Sequence, residues 1–285
     1  GHNNNGQPKL ALSITDSVPA AEAEKLSAEA IADIVQNIAS PVEISAMLQA
    51  LEVPFSAEYL APTIDAEGLS TNFRKAVMLG MYGADLGYLN MYEKTGNSVD
   101  LLSTIKRLAD GLRVGQYFDF ETIKRLSLNN NDLDSLLFIS VNSYNKIDEY
   151  LRQNGRGSVS ALMIAGVWIE GQYLATQVVS RYPDKMLRDR IGEQKIILND
   201  LLMLLLPYRE SNAEYASLFS MMEQISNEYR DIRITYKLGD PETVEQDGRL
   251  VMIQHEESIV EMSDPQLSKV VDLTKEVRNK LITGK

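Results

Sequence analysis

Two carboxylates stand among apolar neighbours. Asp85 has Met78, Met81, Tyr82, Tyr88, Leu89 and Tyr92 at helical spacings of three, four and seven residues, so it projects from an apolar, aromatic face. Glu170 sits likewise among Met163, Gly166, Val167, Tyr173 and Leu174. A carboxylate on such a face must be hydrogen-bonded or take up a proton. Tyrosine hydroxyls, or an arginine such as Arg74, Arg107 or Arg125, would satisfy each acid locally. If both acids instead face one cavity, they form a general acid/base pair or bind a cation against Trp168 and the tyrosines. The ligand-binding candidates are therefore Asp85, Tyr88, Trp168, Glu170 and Tyr173. A hydrolase built on Asp85 and Glu170 needs both in one solvent-connected pocket, about 5 to 10 Å apart.

Other chemistry finds little support. The chain has no cysteine, which excludes disulfides and thiolate sites within it. Its two histidines are His2 and His255, and His255-Glu256-Glu257 lacks the second histidine of a zinc-protease helix. The Glu-x-x-His pairs of di-metal bundles are missing, as are a Gly-x-Ser-x-Gly elbow, a phosphate-binding loop and a dinucleotide fingerprint. No residue is assigned as catalytic or metal-ligating, and no cofactor is expected.

The elements that must position the two acids are helices with glycine inside them. Gly80, Gly83, Ala84 and Gly87 share a stripe of one apolar helix, and Gly166 and Gly171 lie on another. Glycine in a helix costs about 1 kcal/mol relative to alanine. Close approach of another backbone or of a ligand is the usual compensation, so these five glycines are expected to be close-packing positions. Asp85, Tyr88 and Leu89 are echoed by Glu170, Tyr173 and Leu174. The echo is either chance or a sign that 70–114 and 157–206 are equivalent hairpins packed through their glycine faces.

The apolar period predicts helices over roughly 70–94, 98–113, 119–128, 132–153, 157–181 and 185–206, with Asp132, Ser158 and Asp184 as N-caps. Short connections between long helices imply antiparallel neighbours. A helix over about Asn212 to Tyr229 follows. The period then changes to two at Ile232, Ile234 and Tyr236, and Leu250 to Ile253 with Ile259 and Val260 form a second extended region across a polar loop, Gly239 to Gly248. Ser263-Asp264-Pro265 opens a last helix through Leu267, Val270, Val271, Val277 and Leu281. Upstream, residues 1–15 read as a polar tether. A helix runs from about Pro19 through Ile38, a short one passes through Ile44, Met47, Leu48 and Leu51, and Pro54 and Pro62 punctuate an irregular stretch to Gly68.

The fold class is thus all-α, a multi-helix bundle of antiparallel helices with a small C-terminal β-hairpin. Residues 16–206 form the helical domain, with its core bundle at 69–206, and 207–285 pack on the same body. The net charge of −12 belongs to the flanks: residues 1–68 carry 10 acids against 2 bases and 207–285 carry 15 against 10, while 69–206 balance 15 against 16. Such a surface repels phosphate backbones and anionic headgroups, which disfavours nucleic-acid binding and an electrostatic membrane foot. The longest apolar run, Leu201 to Leu206, falls far short of the roughly 18 residues that span a bilayer.

The run from Asn72-Phe73-Arg74-Lys75-Ala76 through Gly80-Met81-Tyr82-Gly83-Ala84-Asp85-Leu86-Gly87-Tyr88 resembles a group of uncharacterised lipoproteins from Bacteroidetes. So do Ile105-Lys106-Arg107-Leu108-Ala109-Asp110-Gly111-Leu112, Asn131-Asp132-Leu133-Asp134-Ser135-Leu136-Leu137, Trp168-Ile169-Glu170 and Ser40-Pro41-Val42-Glu43-Ile44. The resemblance covers most of 40–206. It brings no activity or catalytic residues. It implies export to the periplasm or outer membrane and attachment through a lipidated cysteine just upstream of Gly1, with which the polar tether agrees. The expected role is a non-enzymatic envelope protein that binds a small molecule or an envelope protein, the alternatives being the hydrolase above or a purely structural helical spacer.

Overall fold

The structure, a computed structural model, describes residues 47–64, 68–69, 71–128 and 133–284. The expected tether, the helix from Pro19 and the cap Asp132 lie outside the described residues. Residues 47–50 are helical, as expected around Leu48, which is fully buried.

The main helices are α1 (Asn72–Met91), α2 (Thr95–Gly111), α3 (Phe120–Leu128), α4 (Leu133–Gln153), α5 (Gly157–Arg181), α6 (Lys185–Leu205), α7 (Ala213–Glu228) and α8 (Asp264–Thr283). Their ends follow side-chain chemistry. Thr71, Asp184 and Asn212 accept the N–H of Arg74, Leu187 and Tyr215 at 3.2, 3.0 and 3.0 Å, and Ser263 with Gln266 forms a capping box. Ser158 does not cap α5, because the cap position falls two residues earlier, at Arg156.

Helix α5 is apolar almost all round and buried over most of its length, since α1, α4, α6 and α8 all pack on it. Its most extensive contact is with α1. A Cβ on Gly80 would lie 2.0 Å from the carbonyl oxygen of Met163, and one on Gly166 would lie 2.1 Å from that of Val77. Backbone therefore touches backbone, which compensates the helical cost of these two glycines. Gly83 is different: it is exposed and has nothing within 4 Å, so the close-packing expectation does not extend to it. Gly87 is half-buried, and Gly171 is buried beside Asp85 and Glu170.

Sequential neighbours are antiparallel, as the short turns require, but the central pair runs parallel. Contacts advance together along α1 and α5, from Val77 with Gly166, through Gly80 with Val167, to Tyr88 and Leu174 around one gap. The α1/α2 and α5/α6 hairpins thus contact each other chiefly through their first helices, at Gly80 and Gly166.

The C-terminal part packs on this body. Tyr229, after α7, is fully buried, donates its hydroxyl proton to Ile191 O at 2.7 Å and accepts from Gln172 at 2.7 Å. Between α7 and α8 the chain forms β1 (Arg233–Leu238), β2 (Glu242–Gln246), β3 (Arg249–Ile253) and β4 (Glu256–Glu261). β1 pairs with β4 and β2 with β3, both antiparallel, so one long ribbon is built from two nested ladders. Gly239 N–H donates to His255 O at 2.7 Å across their junction. Half of the expected polar loop is therefore strand β2, whose glutamates and glutamine hide the alternation. The reversal itself is Asp247-Gly248, both with positive φ (52° and 76°), as a two-residue hairpin turn demands.

Candidate functional site

Asp85 on α1 and Glu170 on α5 are brought into hydrogen-bond contact with each other, both buried. The cation is Arg278 of α8, not Arg74, Arg107 or Arg125. Its Nε and Nη2 donate to the two oxygens of Glu170, each at 3.0 Å, and its guanidinium lies 4.0 Å from the centre of the Tyr173 ring. Arg74 instead donates to Ile282 O at 2.7 Å. Asp85 accepts the N–H of Ala61 at 2.9 Å.

Ala61 belongs to an irregular segment, residues 53–64, with a single 3₁₀ turn at Ala57–Tyr59, that lies along α1 in the opposite direction like a strap. A stripe of α1 side chains holds its backbone. Tyr92 donates to Val53 O at 2.7 Å, Tyr88 accepts from Ser56 N–H at 2.9 Å, and Tyr82 donates to Pro62 O at 2.8 Å while accepting from Ile64 N–H at 2.9 Å. Gln49 adds a bond to Met91 O. Phe55 stacks on Tyr88 with ring centres 5.2 Å apart, and Tyr59 O faces Arg278 Nη2 at 3.5 Å. The prolines and polar backbone of this segment give it no ladder of its own, so α1 satisfies its groups instead.

Burial, and then the adjacent Glu170, push the Asp85 carboxyl well above its ordinary range, against the opposing pull of Ala61 N–H and Arg278. Burial likewise raises Tyr88 and Tyr173, and it takes Tyr92 up to about 12, helped by Tyr88 and Tyr59. The gap between Asp85, Glu170, Tyr59 and Tyr88 has no room for a water molecule. The two acids are closer than the about 5 to 10 Å of a carboxylate hydrolase, and Arg278 occupies both oxygens of Glu170. The arrangement joins α1, α5, α8 and the segment before α1 through buried ionic and hydrogen-bond contacts. Among the described residues no group of three or more His, Asp or Glu could hold a metal ion, and no helix is long and apolar enough to cross a membrane.

Four of the five candidate residues, Asp85, Tyr88, Glu170 and Tyr173, meet here. Trp168 does not. Two residues before Glu170 on a helix it points elsewhere, and its indole N–H donates to Gln194 of α6 at 3.0 Å. Sequence reasoning missed Arg278 and the strap. Arg278 falls inside the buried stripe Val270, Thr274, Val277, Leu281 and Ile282, where a lone arginine signals a buried acid. Tyr82, Asp85, Tyr88 and Tyr92 share a helix face, and that polar-tipped stripe was the signal for the strap.

The other unusual surface is the ribbon. Leu250, Met252, Leu238 and Tyr236 are 79%, 72%, 62% and 53% exposed. Its root is fixed on α6, with Val260 over Gly192, Ser258 donating to Glu193 at 2.6 Å, and Lys195 donating to Ile232 O at 2.6 Å.

Fold and site together define a helical-bundle protein with a buried ionic joint and an exposed β-arm. No family model, curated protein or solved structure matches the chain.

Proposed function

We propose that this chain is a non-enzymatic protein of the cell envelope, periplasmic or on the outer membrane, that binds a protein partner through its β-arm. The observation behind the binding surface is the exposure of Leu238, Leu250 and Met252, large apolar side chains on one ribbon of two strands. Scattered apolar residues need no explanation on a protein surface, but a concentration of them on one protruding element marks an interaction site. The filled gap at Asp85 and Glu170 favours a protein partner over a small molecule. Residues 233–261 carry seven acids and three bases in a chain of net charge −12, which sets one copy against another. The partner chemistry that fits is therefore an apolar groove or strand edge with a basic rim, which the free edges of the ribbon can extend by strand addition. Envelope location rests on the lipoprotein resemblance over 40–206.

A photo-activated crosslinker at Leu238, used in cells of the native host, tests this. The expected product is one adduct with a different protein that has a basic surface, weakened by salt and lost when Leu250→Ser and Met252→Ser are added. An adduct of two copies, or equal capture by the double variant, overturns the reading. Recovery of the native protein in the cytosolic fraction overturns the location.

A further inference from the structure

We propose that Asp85 keeps one buried proton and donates it to Glu170, and that this proton clasps the strap 53–64 onto α1 and α5, so that losing it frees the strap. Three observations converge on this, and none involves the β-arm. First, two carboxyl groups in hydrogen-bond contact have only acceptors to offer unless one carries a proton, and here both are buried. Secondly, the cluster contains one cation for two acids, and Arg278 is committed to Glu170 through both oxygens. The tyrosines that face Asp85 from α1, α5 and the strap, Tyr82, Tyr88, Tyr173 and Tyr59, bring no positive charge. With one proton the cluster is neutral; without it, a net negative charge lies in a gap that excludes water. Burial and the neighbouring Glu170 raise the Asp85 carboxyl accordingly.

Thirdly, the acid pair touches the strap at two points. Asp85 accepts Ala61 N–H at 2.9 Å, and Arg278, held by Glu170, faces Tyr59 O at 3.5 Å. Repulsion between two ionised carboxylates is relieved by admitting water, and the strap is what keeps water out. The strap is also the more easily opened cover, because it is held by single side-chain-to-backbone bonds and not by a backbone ladder. Its release uncovers two acids and the Tyr88 and Tyr173 rings on the face of an otherwise intact bundle.

Hydrogen exchange of peptides within 53–64 from pH 5 to 9, corrected for the intrinsic pH dependence of exchange, reads the clasp. Protection of the strap should fall at least tenfold as pH rises while α5 stays protected. In Asp85→Asn, whose amide keeps an acceptor for Ala61 and gains a donor for Glu170, strap protection should be independent of pH. Infrared spectra of the wild-type protein supply the second readout, a protonated-carboxyl band at neutral pH that disappears over the same pH range. Flat strap protection in the wild type, an unchanged pH dependence in Asp85→Asn, or no such band would overturn the proposal.

Discussion

Gly80 and Gly166 each aim the place of a missing side chain at the carbonyl three residues before the other glycine, 2.0 Å from Met163 O and 2.1 Å from Val77 O. That reciprocity makes the α1–α5 crossing a backbone contact and sets Asp85 against Glu170 farther along. Alanine at either position gains about 1 kcal/mol of helix propensity, but its Cβ overlaps a carbonyl that belongs to a packed helix and cannot turn aside. Gly80→Ala and Gly166→Ala should each lower stability in urea by about 2 to 4 kcal/mol. Gly83→Ala, with open space at its Cβ, should instead raise stability by about 0.5 to 1 kcal/mol. Equal effects at positions 80 and 83 would show that the crossing is looser than described.

Removing Arg278 leaves Glu170 buried without its partner. Arg278→Ala should cost about 3 to 5 kcal/mol in denaturant unfolding. Arg278→Lys should recover only part of this, because one ammonium cannot make the paired bonds to both Glu170 oxygens or lie flat on the Tyr173 ring. Full recovery by lysine would mean that charge alone, and not the planar fork, holds α8 to α5.

The raised Asp85 carboxyl fixes the sign of a pH effect. An unfolded chain releases this proton near the ordinary carboxyl pKa of about 3.9, whereas the folded protein keeps it to a higher pH. Within that window the native state binds more protons, so this residue's contribution to stability is complete below it, falls as pH rises through it and levels off above. The difference in urea midpoint between wild type and Asp85→Asn should grow with pH in favour of asparagine. A difference that is constant from pH 4 to 9 would show that Asp85 ionises normally.

Much of the fold was legible, and the limit has a physical cause. Helix ends at Gly111, Asn154 and Pro183 were readable because a lapse in apolar period and a breaking residue coincide there, and local chemistry decides a local boundary. Isolated acids at Asp85 and Glu170 were readable as misfits on apolar faces. Their meeting was not, since it depends on α1 and α5 running parallel after three intervening helices. Arg278 lies 108 residues from Glu170, so no helical spacing relates the two. The strap has no period at all, and its order comes from tyrosines on another element. Trp168 looked like part of the site because sequence places it near Glu170, while helix geometry turns it toward Gln194.

The tyrosine stripe should act additively through the strap. Tyr82→Phe, Tyr88→Phe and Tyr92→Phe each remove a hydroxyl bonded to strap backbone, at about 0.5 to 1.5 kcal/mol apiece. Global unfolding should change little beyond this, but limited proteolysis should cut the triple variant within 53–64 well before the wild type. Cleavage elsewhere first would show that the strap is not the weakest cover of the bundle.

Root and tip of the β-arm should separate folding from binding. At the tip, Leu250 and Met252 face solvent, so Leu250→Ser and Met252→Ser should leave the urea midpoint within about 0.5 kcal/mol of wild type. At the root, a Cβ on Gly192 would lie 2.4 Å from Val260 Cγ1, so Val260 must turn its methyl aside or shift β4 away from α6. Gly192→Ala should therefore loosen the bonds of Ser258 to Glu193 and Lys195 to Ile232 O. Faster amide exchange in β1 and β4, with α6 unchanged, is the expected signature. If the arm works by being held at a fixed angle to the bundle, this variant loses crosslinking at Leu238 although every apolar side chain of the tip is intact. Undiminished crosslinking would make the tip residues sufficient and the root a mere tether.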